Sequence, residues 1–413
     1  MTENLKIAVI GNPNIGKSSF VSNLAYDDRV LVSNKSGETT KSNSYYLKNE
    51  QEIIYELYDT PGFDNHEEVL EYIENNKKTN SNIYNLVEEF IEKNKHKEEF
   101  SKDIEILQVL IKKPIIVYIV NSSQEYNPSF GASIEIIKKF DLDLFLIYNQ
   151  HDENKDKKNS WKDIEKFFNY SFDFNVLNLT YNDKKSFFEK IKANIKNIDK
   201  KDEQLERVID VLKKDFKRRL DKSFLQLCDI LYKIVNEEEK YSQNSFSEIE
   251  KGKEEFKNKL FKKKESFYKC IEQEWGFNKL EKELENFKNI EIYSKESNET
   301  IKEVKRFLLS KLPKNFKIFY FLIEEDKTVL KLHEEYKFDF FREMYLYIEL
   351  ISLKNHAKRN VIHLKNTQDS SDFPFEKKDI NKILKEKNKD KFTKDLNKIM
   401  GENYEKKYYE IFL

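Results

Sequence analysis

The stretch LKIAVIGNPNIGKSSFVSNLA, residues 5–25, constrains this chain more than any other. Ile7 to Ile10 form an unbroken apolar run, as expected of a strand buried on both faces. The run ends at Gly11. Five positions later comes Gly16, followed at once by Lys17 and Ser18, and SSFVSNLA reads as the start of a helix. The chain has only eight glycines in 413 residues, so two of them this close together need a physical reason. Between a buried strand and a helix, Gly-x-x-x-x-Gly-Lys-Ser lets the backbone curl until successive N–H groups point inward. Such a curl at a helix N-terminus, with a lysine beside it, is a cradle for phosphate oxygens. The glycines are expected to permit the torsions and to leave room for the anion.

In this P-loop pattern Asn12, Asn14, Ile15, Gly16, Lys17, Ser18 and Ser19 surround the phosphates. Lys17 would reach the β and γ phosphates, and Ser18 would ligate Mg²⁺. Further loops of a nucleotide site follow in order. Ile53 to Tyr58 reads as a strand ending in Asp59-Thr60-Pro61-Gly62. A carboxylate at that strand end can join the Mg²⁺ shell, and the Gly62 N–H can meet a γ-phosphate. Residues 36–42, SGETTKS, form a polar loop between the two. Gly11, Gly16, Gly37 and Gly62, half of all the glycines, thus fall in three phosphate-facing loops. IIVYIV, residues 115–120, and DLDLFLIYNQHD, residues 141–152, read as buried strands, the second ending in Asn149, Gln150, His151 and Asp152. FNVLNLT, residues 174–180, reads as one more.

These motifs resemble the Era/TrmE/EngA-like branch of the translation-factor class of P-loop GTPases. GNPNIGKSS fits that branch's G-x-P-N-x-G-K-S-S, DTPG its switch II, and GETTK its switch I. The resemblance implies an α/β P-loop GTPase domain over residues 1–197, a mostly parallel sheet between helices, binding GTP or GDP with Mg²⁺. It makes Thr40 the Mg²⁺ and γ-phosphate sensor. It places Asn149 and Asp152 at the ends of the guanine-reading N-K-x-D, with Gln150 in place of the lysine. Thr180-Tyr181 stands where that branch has Ser-Ala, which contacts the base through its backbone. ELYDTPGF, EEVLEYIE and VNSSQEYNPSFGASIEIIKKFDLDLFLIYNQ further resemble bacterial GTPases that carry a C-terminal domain of unknown function. FREMYLYIELISLKNHAKRNVIHL, residues 341–364, weakly resembles part of that domain.

Catalysis is expected to be slow. The residue after D-x-x-G, a water-orienting glutamine in many small GTPases, is Phe63 here. Asp64, His66 and Glu67 follow, with no spacing that singles one out. Asn14 has two readings, a loop-stabilising asparagine or, as in potassium-using relatives, a ligand for K⁺ between the α and γ phosphates. Lys17, Thr40, Gly62 and Asn14 are therefore the candidate catalytic set. Only Arg29 among the seven arginines falls in the first 200 residues, so no arginine finger is evident.

About fifty residues separate Gly62 from the strand at 115–120, more than one switch helix needs. NIYNLVEEFIEKN and DIEILQVLIKK carry apolar residues at helical spacing. Two or three helices are expected over residues 64–113, either covering the sheet or sensing a partner together with switch II. The second half, residues 198–413, reads as a mainly α-helical domain. Leu205, Val208, Leu212, Phe216, Leu220, Leu227, Leu231 and Val235 define one long amphipathic helix. A second helical stretch covers 246–287; FKNIEIYS reads as a short strand, and NFKIFYFLIEED as a buried strand or helix. FREMYLYIELISLKNHA reads as a central helix, NTQDSSDFPFEKKD, residues 366–379, as a loop, and the lysine-rich tail as helical.

Lysine plus arginine, 74, nearly cancels aspartate plus glutamate, 75, which argues against nucleic acid as a partner. The basic runs KKDFKRR and FKKKESF are flanked by acids and read as solvated helix faces. His333, His356 and His363 show no metal-ligand spacing, and Cys228 and Cys270 lack the spacing of a metal site. The longest purely apolar runs are about six residues, against the ~20 that span a bilayer. With no secretory signal visible, a cytoplasmic protein is expected, with peripheral membrane contact left open. Two functions fit. One is a GTP-hydrolysing switch whose helical domain or protein partner responds to the nucleotide. The other is a non-hydrolysing scaffold or dynamin-like assembly, with a nucleotide-dependent homodimer compatible with either.

Overall fold

The computed structural model describes residues 4–25, 39–49, 52–77, 82–127, 129–150, 157–177, 179–196, 198–242, 246–277, 282–283, 319–324, 327–353, 362–363 and 373–407. Arg29, Gly37, Asp152, His356 and the FKNIEIYS stretch lie outside the described residues, as does half of the loop read at 366–379, whose last three residues are helical. The chain divides into two units. One comprises Met1–Phe216 with Lys354–Arg359, the other Lys217–Leu353 with Asn360–Leu413.

The apolar runs of the first unit become the strands of a six-stranded sheet. In chain order these are β1 (Leu5–Ile10), β2 (Asn43–Asn49), β3 (Glu52–Asp59), β4 (Ile115–Asn121), β5 (Leu144–Asn149) and β6 (Tyr170–Phe174). Their order across the sheet is β2-β3-β1-β4-β5-β6. Only β2 runs antiparallel, paired with β3 from Asn43 opposite Asp59. The inner strands are parallel, with Val9 opposite Asp59, Ile10 opposite Tyr118 and Asn121 opposite Asn149. This register brings Ile10, Asp59 and Asn149 to the same carboxyl edge. The chain leaves β1 toward β3 on one side and β4 on the other, so the loop after β1 sits where an open α/β sheet binds ligands.

Helices α1 (Lys17–Ala25), α2 (His66–Asn75), α3 (Ile83–Asn94), α4 (Ser101–Ile111), α5 (Ser129–Lys138), α6 (Lys162–Glu165) and α7 (Tyr181–Asn194) accompany the sheet among the described residues. The stretch after switch II therefore holds three helices. Val69, Ile73, Val87, Phe90, Ile104, Leu107 and Leu110 share one core with Ile116, Tyr118 and Ile134. These helices do cover the sheet, and their apolar spacing is explained by that burial. The strand expected at 174–180 lies earlier, at 170–174, paired with β5. Val176 and Leu179 are buried not as strand residues but as anchors of the loop that leads to α7.

The long amphipathic pattern is α8, Ile198–Val235, and every apolar residue that defined it is buried. The boundary between the units falls within this helix. In the second unit, β7 (Glu238–Ser242) precedes α9 (Phe246–Glu274). Helix α9 stops short of the expected residue 287, because Gly276 adopts φ 79 and Phe277 N–H closes back onto the Glu272 carbonyl at 2.8 Å. Strand β8 (Lys282–Glu283) follows, then β9 (Phe319–Glu324), a strand within NFKIFYFLIEED, and β10 (Lys327–Leu332). Strands β7, β10 and β9 form an antiparallel sheet, and β8 pairs with β11 (Ile362–His363). Among the described residues the remaining helices are α10 (Glu334–Leu353), α11 (Lys377–Leu384) and α12 (Lys389–Lys407).

One lysine of the run FKKKESF is not solvated. Lys264 falls on the stripe of α9 that includes Phe256, Leu260, Phe267 and Ile271, and it is buried with them. Its ammonium donates to both carboxylate oxygens of Glu343 on α10, at 2.9 and 3.2 Å, and Tyr268 donates to the same carboxylate at 2.5 Å. Tyr347 hydrogen-bonds Glu272, and the Tyr268 and Tyr347 rings lie 4.0 Å apart. Burial, reinforced by Glu343, pushes the Tyr268 hydroxyl well above its ordinary pKa. Cys228 is buried and Cys270 exposed, both as free thiols.

Candidate functional site

The loop between β1 and α1 is shaped by three residues with positive φ: Gly11 at 144°, Asn14 at 62° and Gly16 at 98°. The torsional reason for the glycines therefore holds. The reason of room needs correction. A Cβ on Gly11 would stand 2.4 Å from the Ile119 carbonyl oxygen and from Ile15 Cδ1. One on Gly16 would stand 2.7 Å from Asn149 Nδ2 and Val176 Cγ2. The space beside both glycines belongs to neighbouring parts of the protein. Asn14, exposed in the left-handed region that asparagine tolerates better than most residues, has its conformational reason there too.

Lys17 is almost fully buried and donates to the Asn12 carbonyl at 2.8 Å. Burial lowers its pKa to about 8, against the attraction of Asp59. Asp59 is buried as well. Burial raises its carboxyl to about 6, against a hydrogen bond from Ser18 and the charge of Lys17. Attraction between the two charges does not make up for the water they have lost. Asp59 Oδ1 has no hydrogen-bond partner. A buried carboxylate oxygen left open, on the side chain that Ser18 contacts, fits a hard cation with oxygen ligands such as Mg²⁺. Thr60 is tied down by its hydroxyl, which donates to the Val9 carbonyl at 2.7 Å. Gly62 lies against the P-loop, since a Cβ there would stand 2.8 Å from Pro13 Cδ. Thr40 is exposed, two residues before Ser42.

Asn149 sits at the end of β5 with no exposed surface. Its amide donates to the Ile15 carbonyl at 2.8 Å, and its side-chain oxygen accepts from Val176 N–H at 3.1 Å. It thus fastens the P-loop to the loop before α7. Asn23 on α1 takes part in the same fastening and was not singled out by sequence. Its amide donates to the Ser19 carbonyl at 3.0 Å and to the Val176 carbonyl at 2.9 Å. In sequence it stands only as a polar residue beside Leu24 and two after Val21, and its burial in α1 appears in the fold. Thr180 caps α7, accepting from Asp183 N–H while its own N–H donates to the Asp183 carboxylate at 2.7 Å. The Tyr181 ring is buried against Phe216, with centroids 4.5 Å apart. Any base contact by this pair would therefore come from backbone. Phe63 is partly buried against the core formed with α2–α4, 6.4 Å from the His66 ring.

Two carboxylates of α4 also reach the phosphate loops, and sequence gave no notice of them. Asp103 accepts from the backbone N–H groups of Asp64 and Asn65, both at 3.1 Å. Burial raises its pKa, against those N–H bonds. Glu105 accepts from Ser42 N–H at 2.9 Å, and its carbonyl accepts from the Ser42 hydroxyl at 3.2 Å.

Comparison with known proteins agrees with this arrangement. Residues 6–122 match the family described as 50S ribosome-binding GTPase. GTPase Der of Clostridium perfringens is 43% identical over 72 residues, 17% of this chain and 16% of Der. The tRNA modification GTPase MnmE of Mycoplasmoides gallisepticum is 27% identical over 169 residues, 38% of this chain and 37% of MnmE. The chain thus spans well under half the length of either relative. Among solved structures, Aquifex aeolicus Era bound to GDP.AlF4- aligns with 46% of this chain and 57% of Era, at a TM-score of 0.31 and 17% identity. No helix among the described residues is long and apolar enough to cross a membrane. The order of motifs along residues 6–122, on a parallel sheet with the P-loop after its central strand, identifies the N-terminal part of this chain as a P-loop GTPase domain of the Era/TrmE/EngA-like branch.

Proposed function

We propose that this protein binds guanine nucleotide through its N-terminal unit and hydrolyses GTP to GDP and phosphate as a switch. The observation that carries this is the pair Lys17 and Asp59, both buried, each pushed toward neutrality by burial, at the mouth of a loop built to receive phosphate. An anionic ligand beside Lys17 and a cation beside Asp59 would offset what burial costs each charge. Ser18, Thr40 and Asp59 would hold Mg²⁺, which when bound neutralises charge on the β and γ phosphates. Asn12, Asn14, Ile15, Gly16 and Ser19 line the cradle, and Gly62 N–H meets the γ-phosphate. Asn149, Asp152 and the backbone of Thr180-Tyr181 read the base. The complete set Ser18, Thr40 and Asp59 favours turnover over a fixed scaffold, which has less need of it.

Hydrolysis is slow in isolation, since Phe63 is packed against the core and carries no group to orient water. K⁺ held with Asn14 supplies part of the missing positive charge. The helices after switch II and the C-terminal unit respond to nucleotide and meet a protein partner, in the cytoplasm. Calorimetry with GTP, GDP and ATP tests the core of this proposal. Saturable, Mg²⁺-dependent binding of GTP and GDP, lost in Lys17→Ala, is expected. ATP binding as tight as GTP would overturn the guanine assignment.

A further inference from the structure

We propose that the N-terminal half of α4 is a bracket that couples switch I to switch II, with Glu105 and Asp103 as positioning residues. The inference rests on the proposed nucleotide site. It adds how the two nucleotide-sensing segments are made to move together.

Ser42 stands two residues after Thr40, and Asp64 two residues after Gly62. Each is the point where a sensing segment leaves the phosphate site. Both are held by the same helix. Glu105 takes the Ser42 N–H through its side chain and the Ser42 hydroxyl through its carbonyl. Asp103 takes the N–H groups of Asp64 and Asn65. Lys102 pairs with Asp64 at 2.7 Å, and the Asn65 amide donates to the Glu99 carbonyl at 2.6 Å. Asn65, the residue before α2, makes no capping bond with its own side chain. The start of α2 therefore depends on a carboxylate from elsewhere in the chain.

Residues two apart on a helix do not share a face. Asp103 and Glu105 are therefore two arms reaching in different directions from one rod. The rod moves as one piece, since Ile104, Ile106, Leu107, Val109 and Leu110 are all buried along it. Bonds from backbone N–H to carboxylate are charge-assisted and about twice as strong as neutral ones. A shift of either sensing segment must break such a bond or carry α4 with it, and moving α4 strains the other segment. The insertion is a core element on one side and a linkage on the other.

The test uses the full chain as wild type, Glu105→Ala and Glu105→Gln. Amide exchange is read over residues 39–49 and 60–66 without nucleotide, with GDP and with a non-hydrolysable GTP analogue. Glu105→Ala is expected to speed exchange about tenfold at 60–66 as well as at 39–44, the loss of one charge-assisted hydrogen bond. It should lower kcat about tenfold, with the GDP dissociation constant within about twofold of wild type. Glu105→Gln should fall between wild type and Glu105→Ala, because its amide oxygen still accepts from Ser42 but carries no charge. Should Glu105→Ala lower the melting temperature of the whole chain, Ser42→Pro removes both bonds to Glu105 from the other side and should give at least the same remote effect. Faster exchange confined to 39–44, with kcat unchanged, would overturn the bracket. The nucleotide-free samples read the coupling even if no guanine nucleotide binds, so failure of the bracket and failure of the proposed function are told apart.

Discussion

Replacing Asn149 with alanine tests whether this residue holds the site together before any base is read. The side chain is wholly buried and joins two segments, through the Ile15 carbonyl at 2.8 Å and the Val176 N–H at 3.1 Å. Alanine removes a partner from each of these backbone groups. Leaving a buried polar group short of a partner costs about 1–3 kcal/mol, so the two sum to about 2–6 kcal/mol. Partial relaxation of the Val176 loop, still held by Asn23, brings the expected loss to about 2–4 kcal/mol. For a unit of this size that lowers Tm by about 4–16 °C. The assay is thermal unfolding of nucleotide-free protein, read by the fluorescence of Trp161, buried in the N-terminal unit. Trp275 lies in the other unit, so a Trp275→Phe background isolates the signal. A Tm within about 2 °C of the parent would refute the reasoning. If guanine affinity nevertheless fell, Asn149 would be a base reader only. Asn149→Asp should also destabilise, since it keeps an acceptor for Val176 but turns a carboxylate oxygen toward the Ile15 carbonyl.

Two further outcomes are expected. GTP turnover should be faster in KCl than in matched NaCl, and Asn14→Ala should remove the difference while Asn14→Gly, which also suits φ 62, should not restore it; equal rates in the two salts for wild type would reject a bound K⁺. Asp152→Asn should weaken GTP about tenfold or more and improve binding of xanthine nucleotide, checked by competition calorimetry, because the carboxamide complements the exchanged base edge.

What could be read from sequence follows the range of the interactions. The P-loop, the strand ending at Asp59 and the switch motifs are local patterns in which a few adjacent residues set torsion, charge and burial together. They were legible for that reason. The shift of β6 shows the limit. FNVLNL is apolar enough to read as a strand, yet the Val176 peptide is held by Asn149 and Asn23, while YSFDF is a strand through its pairing with β5. Asp103 and Glu105 were silent because their partners lie 39 and 63 residues away. An acid on a helix surface is ordinary until the chain folds. Lys264 was masked in the same way, hidden in a basic run while its place on an apolar stripe went unweighed.

The buried contact between α9 and α10 also has a mechanical side. Packed helices usually give a little, sliding past one another by an ångström or two as apolar side chains change partners. Lys264 and Glu343 allow no such give, because hydrogen bonds between ions weaken steeply outside a narrow range of distance and angle, and separating the two leaves a charge stranded in the core. Tyr268 and Tyr347 pin the same contact on either side. The two helices therefore act as a strut rather than a spring: a push on one end of α9 arrives at α10 as displacement, with little of it absorbed on the way.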